Sequence, residues 1–204
     1  MKQVVLIHGG DSFSQHEDFL KHLQTTNIYN PKGEGGNHWN KSLRADLGND
    51  FELYSPSMPN NENAKYEEWK IWFERHVSYW KDDLILVGWS LGGMFLAKYL
   101  SEEQFPLKIR GVHLVAAPCG DFSIESESGN NCESFTFNMT TLSEFNEKVK
   151  DIHIWQSTDD FVVPFEHSQM YKKALPSAEI HVFEDRNHFL QADFPELVAC
   201  IKKS

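Results

Sequence analysis

The sequence is poor in cysteine, proline and basic charge, and it has no long apolar run. Its three cysteines, Cys119, Cys132 and Cys200, are odd in number and share no short spacing. That excludes a disulfide framework and the paired-cysteine zinc templates. No His-Glu-x-x-His, Cys-x-x-Cys or Walker-type loop occurs, so neither a metal nor a cofactor is expected. Gly33-Glu34-Gly35-Gly36 does not follow a strand-like run, which argues against a phosphate cradle there. Basic residues number 19 against 30 acidic, a formal charge of −11. Such a chain repels phosphate backbones, so neither nucleic acid nor an anionic membrane is an expected partner. No apolar stretch approaches the length that spans a bilayer. The start runs straight into Val4-Val5-Leu6-Ile7 without a basic segment or cleavage site, and a cytoplasmic location is the expectation.

What is present is 204 residues, 40% apolar and 13% aromatic. That is the size and content of one domain over residues 1–204 with a proper core. Short apolar runs alternate with amphipathic stretches throughout. Strands are predicted at 3–7, 51–54, 83–87, 112–116, 152–156 and 179–183. Helices are predicted at 13–23, 39–47, 66–80, 90–100, 142–149, 165–174 and 194–202. Strands apolar on both faces and separated by helices predict a three-layer α/β/α sandwich around a six-stranded, mainly parallel sheet. In the 66–80 segment Trp69, Trp72 and Trp80 read as one buried face. The stretch 120–140 reads as too polar for core, an excursion that is either a lid or a flexible loop.

The sharpest signal is Gly88-Trp89-Ser90-Leu91-Gly92. With 12 Gly and 17 Ser, chance predicts roughly 0.06 such Gly-x-Ser-x-Gly pentapeptides in a chain of this composition. It ends an apolar strand and opens a helix, the setting of a nucleophile elbow. The turn crowds Ser90, so residues two places either side must lack side chains. The helix directs its first amides and positive dipole end at a developing oxyanion.

A serine hydroxyl needs a base, and the base needs an orienting acid. Ligands in such sheets bind beyond the C-terminal strand ends, which selects His188 after the last strand and Asp159 or Asp160 after the preceding one. Chain order is then Ser, Asp, His. For the oxyanion hole, one backbone donor is the Leu91 amide and the other the Gly10 amide, with Asp11 as the alternative. His8 beside it is read as shaping the loop. Trp89 and Asp11 are the candidate substrate-binding residues. Cys119 is read as a small buried residue.

The His8-Gly9 loop, the Gly-Trp-Ser-Leu-Gly-Gly elbow, Asp160 four residues before Pro164, and Asn187-His188-Phe189 together resemble the α/β-hydrolase superfamily. Asn37-His38-Trp39 opening a helix and the Asp-Asp-x-x-Val-Pro segment are similar to the small capless serine hydrolases of the retinoblastoma-binding protein 9 group and its bacterial relatives. The resemblance implies a strand order of 2-1-3-4-5-6, with Ser90 as nucleophile, Asp160 as acid and His188 as base. It further implies hydrolysis of an ester, thioester or activated amide of a small acyl substrate, with peptidase activity as a variant. The length leaves no room for a large cap. The competing reading is a binding protein on this fold that acts through a protein partner, with 120–140 as the contact element.

Overall fold

A computed structural model describes residues 1–26, 38–120, 131–149 and 151–204. Six strands form one sheet: β1 (Lys2–Ile7), β2 (Phe51–Tyr54), β3 (Leu84–Trp89), β4 (Ile109–Val115), β5 (Asp151–Ser157) and β6 (Glu179–Phe183). Their order is β2-β1-β3-β4-β5-β6 and every pairing is parallel. Order and parallel pairing agree with the sequence-based expectation. The central strands β1 and β3 are buried on both faces, which is why they read as continuous apolar runs.

The helices are α1 (His16–Thr25), α2 (Trp39–Leu47), α3 (Tyr66–His76), α4 (Leu91–Glu102), α5 (Leu142–Lys148), α6 (Glu166–Ala174) and α7 (Pro195–Lys203). One face of the sheet packs Val5, Ile7, Leu84 and Leu86 under α3, α4 and α5, through Trp69, Phe73, Phe95 and Phe145. The other packs Val4, Leu6, Ile85 and Val87 under α2 and α7, through Trp39, Leu43, Leu197 and Ile201. Alternate residues along each strand thus feed opposite layers.

Two expectations fail. The 66–80 segment is not one helix: α3 ends at His76 and a 3-10 turn, Val77–Tyr79, delivers Trp80 to the core. Trp69 is fully buried but Trp72 is 39% exposed. At 3.6 residues per turn Trp72 lies about 90° from the centre of the Tyr66–Trp69–Phe73 stripe, too far round to bury. The second error concerns 120–140. Residues 121–130, on which the lid expectation mostly rests, lie outside the described residues. The remainder is core: Cys132, Phe135 and Phe137 are buried, and the Phe135 ring stands edge-on to Trp69 with centroids 5.3 Å apart. Exposed Glu133, Ser134 and Asn138 alternate with these apolar residues, so the average polarity of the stretch concealed its anchors. The segment is tied down by the Asn131 and Cys132 amides, which donate to the Ser12 carbonyl.

Candidate active site

Strand β3 feeds directly into α4 through Ser90, whose backbone sits at φ 55°, ψ −125°. A non-glycine residue there costs on the order of 1–3 kcal/mol, held by its surroundings. Here the holding bonds are Ser90 N–H to the Val115 carbonyl and the Gly93 and Met94 amides to the Ser90 carbonyl. A side chain at Gly88 would lie 2.6 Å from the Gly92 carbonyl oxygen, and one at Gly92 would strike the Ile7 and His8 carbonyls. The glycines of the elbow therefore let α4 close onto both β3 and the end of β1.

The structure brings together Ser90, His188 and Asp160. Ser90 Oγ and His188 Nε2 are 2.9 Å apart, and His188 Nδ1 lies 2.9 and 3.1 Å from the two Asp160 oxygens. The Asp160 side chain is wholly buried. Its Oδ1 also accepts from the Val162 and Val163 amides, and its Oδ2 from Gln156 Nε2. Four donors thus fix the position of this carboxylate. Asp159 faces elsewhere: its carboxylate accepts from Ser157 Oγ and the Asn187 amide. The Ser157 hydroxyl, foremost among its contacts, holds Asp159 below the usual carboxylate range. Asp159 thus braces the histidine loop from outside.

That loop is suspended by five successive carbonyls. Trp89 Nε1 donates to the His188 carbonyl, Trp39 Nε1 to Phe189, His38 Nδ1 to Leu190, the Trp39 amide to Gln191, and Ser42 Oγ to Ala192. Asn187 and Phe189, on either side of His188, adopt positive φ, so the loop depends on these anchors for its shape. Trp89, proposed from sequence as a substrate contact, is half-buried and spends its indole N–H on this suspension. Neither Gln156 nor Ser42 was singled out from sequence. Gln156 had a signal, a polar side chain directly after the apolar Ile154-Trp155 of a strand; Ser42 had none.

At the other wall, His8 Nε2 accepts from the Met58 amide at 2.9 Å, so the ring proton sits on Nδ1 and points to the Gly9 carbonyl. This imidazole is occupied in holding the loop after β1. A Cβ on Gly9 would come within 3.0 Å of Ser90 Cβ, and one on Gly10 within 2.5 Å of the Asn61 carbonyl oxygen. The Asp11 amide donates to Asn61 and its carbonyl accepts from Ala64. Among the described residues, neither the Gly10 amide nor the Leu91 amide has a protein acceptor. Burial raises the Asp11 carboxyl pKa, opposed by the His22 and His188 charges. Cys119 is fully buried at the end of β4.

The chain is similar to known serine hydrolases. The rat (Rattus norvegicus) serine hydrolase RBBP9 is 26% identical over 154 residues, covering 74% of this chain and 77% of that protein. The crystal structure of the ydeN gene product from B. subtilis superimposes with a TM-score of 0.73 at 20% identity, over 100% of this chain and 98% of the other. Serine hydrolase CCSP0084 from the polyaromatic-hydrocarbon-degrading bacterium Cycloclasticus zankles gives 0.67 at 12% identity, over 100% and 89%. No helix among the described residues is long and apolar enough to cross a membrane. The serine hydrolase family matches residues 29–194, most of the sequence, and the chain, with its α/β-hydrolase fold, belongs to that family.

Proposed function

We propose that this serine hydrolase cleaves an ester, thioester or activated amide of a small substrate through an acyl-enzyme on Ser90. The observation that carries the reading is the unbroken pair of hydrogen bonds from Ser90 Oγ through His188 to Asp160, each 2.9 Å. Ser90 Oγ attacks the acyl carbonyl while His188 Nε2 takes the hydroxyl proton. Asp160 keeps the imidazole proton on Nδ1 and balances the imidazolium charge. The oxyanion that forms accepts from the Leu91 amide, in the first turn of α4, and from the Gly10 amide. Gly10 is preferred to Asp11 because the Asp11 amide already donates to Asn61. Collapse breaks the bond to the alcohol, thiol or amine, which leaves with the proton from His188. Water then loses a proton to the same nitrogen, attacks the acyl carbon and frees Ser90 and the acid.

A fluorophosphonate probe read by intact mass tests the reading. The wild-type chain gains one adduct and Ser90→Ala gains none; an unlabelled wild type would refute it and favour a role in partner binding. With walls made of loops, the site should turn over short-chain p-nitrophenyl esters faster than long-chain ones.

A further inference from the structure

A second group of side chains lies at the opposite end of the sheet from Ser90, on the face covered by α7. In-register pairing sets His153 of β5 beside Glu179 of β6, and His181 follows Glu179 two residues on, on the same face. His153 Nδ1 and His181 Nε2 are 3.0 Å apart. The Glu179 carboxylate oxygens lie 3.8 Å from His153 Nδ1 and 3.7 Å from His181 Nε2. His153 Nε2 is bonded to Asp151 at 2.9 Å. From these distances we propose that His153 Nδ1, His181 Nε2 and Glu179 form a binding site for a divalent transition-metal ion of the zinc class, with Asp151 as the carboxylate behind His153.

The chemistry of each ligand fits. The bond to Asp151 keeps the His153 proton on Nε2, leaving the Nδ1 lone pair directed at the site; a carboxylate behind a ligating imidazole both orients it and raises its basicity. His181 Nε2 donates to that Nδ1 lone pair; an ion takes the place of the shared proton, and the His181 ring then carries its proton on Nδ1 and binds through Nε2. Two bonds of about 2.0–2.1 Å at a tetrahedral angle hold ligand nitrogens about 3.3 Å apart. The two nitrogens therefore move apart by about 0.3 Å, and the rings, whose centroids are 5.2 Å apart, turn so that both lone pairs converge on the ion. Glu179, its side chain 67% exposed, is free to close the third bond and gives the ion a route from solvent. Two imidazoles and one carboxylate, with the remaining position for water, suit zinc, copper or nickel rather than magnesium or calcium.

The neighbouring His113–His153–Cys200 group does not fit. The His113 and His153 rings are stacked nearly parallel, 4.7 Å apart, and cannot both direct a lone pair at one ion. Trp155 Nε1 donates to His113 Nδ1, which places the His113 proton on Nε2. The sequence carried no sign of the site because its ligands belong to two strands joined through α6, not to one short motif.

Titration of the metal-stripped chain with Zn2+ by calorimetry, with circular dichroism to verify folding, tests the proposal. The wild type should bind one equivalent. Asp151→Asn should weaken that site by about 10- to 100-fold, and Glu179→Gln and His181→Gln by more. Exposure of Glu179 keeps Glu179→Gln a folded comparison. The Trp155 indole, stacked on His181 at 3.7 Å, should change its emission during the wild-type titration and not in Glu179→Gln. His188→Gln should bind as the wild type does. A wild type that takes up no zinc overturns the proposal. So do folded Glu179→Gln and His181→Gln variants of undiminished affinity, or a site that disappears only in His188→Gln.

Discussion

Replacing Asp160 by asparagine changes one oxygen for an amide group, and the hydrogen bonds around it dictate the result. Oδ1 accepts two backbone amides, from Val162 and Val163, while Oδ2 accepts Gln156 Nε2 and His188 Nδ1. Backbone amides cannot turn away, so the asparagine oxygen must keep the Oδ1 place and its NH2 must occupy the Oδ2 place. There it meets two donors. His188 relieves its half of the conflict by moving its proton from Nδ1 to Nε2, accepting from the asparagine at Nδ1. Nε2–H then donates to Ser90 Oγ and has no lone pair with which to take the serine proton. The expected loss in kcat is about 10⁴-fold at neutral pH with little change in KM. The remaining donor conflict at Gln156 costs about 1–3 kcal/mol of stability. Steady-state hydrolysis of a short-chain p-nitrophenyl ester, alongside urea denaturation, measures both. The control is Asp159→Asn, which alters a brace of the histidine loop without touching the imidazole and should lose less than about tenfold, well short of a tautomer change. If Asp160→Asn keeps activity within tenfold of the wild type, or if Asp159→Asn is the more damaging, the proton relay as drawn is wrong.

Two further outcomes are expected. Phe135→Ala should destabilise the fold by about 3–5 kcal/mol in denaturant titration, since its ring is fully buried against Trp69 and Tyr66; a change near zero would return that segment to the status of a surface loop. Burial holds His113 neutral, well below its ordinary pKa of 6.5, with His153 and His181 adding to the shift. The unfolded chain therefore binds the extra proton below pH 6.5, and stability is complete above that pH and falls beneath it. His113 contributes up to about 1.4 kcal/mol per pH unit to that fall. Denaturation of His113→Gln between pH 5 and 7 should show a shallower slope, and an unchanged slope would count against the assignment.

How much was legible from residues alone divides along a physical line. Apolar runs gave β1 and β3 within two residues, because strands buried on both faces leave a composition signal that needs no partner; the edge strands β2 and β6, only partly buried, were bounded to the residue by the loops beside them. Periodicity likewise found α2 to the residue, but misjudged Trp72, where one turn of helix separates core from solvent. The polar average of 120–140 hid Phe135 and Phe137, both buried; Phe135 packs on Tyr66 and Trp69 of α3, far off in the chain. Ser90, His188 and the Asp159–Asp160 pair were legible as residues at strand ends. The 2.9 Å spacing between them was not, nor were the bonds from Trp39, His38 and Ser42 that hold the histidine loop.

By itself, then, the sequence determined the alternation of elements, the glycines that an elbow at Ser90 requires, and the residue types able to run acyl transfer. Those are local properties: burial, backbone freedom and side-chain chemistry are written residue by residue. Tertiary structure decided the rest. Strand pairing and helix packing set which of two adjacent aspartates meets the imidazole, which amides after β1 already have an acceptor, and which histidines on β5 and β6 face one another. Distances between residues remote in the chain exist only once the sheet has formed.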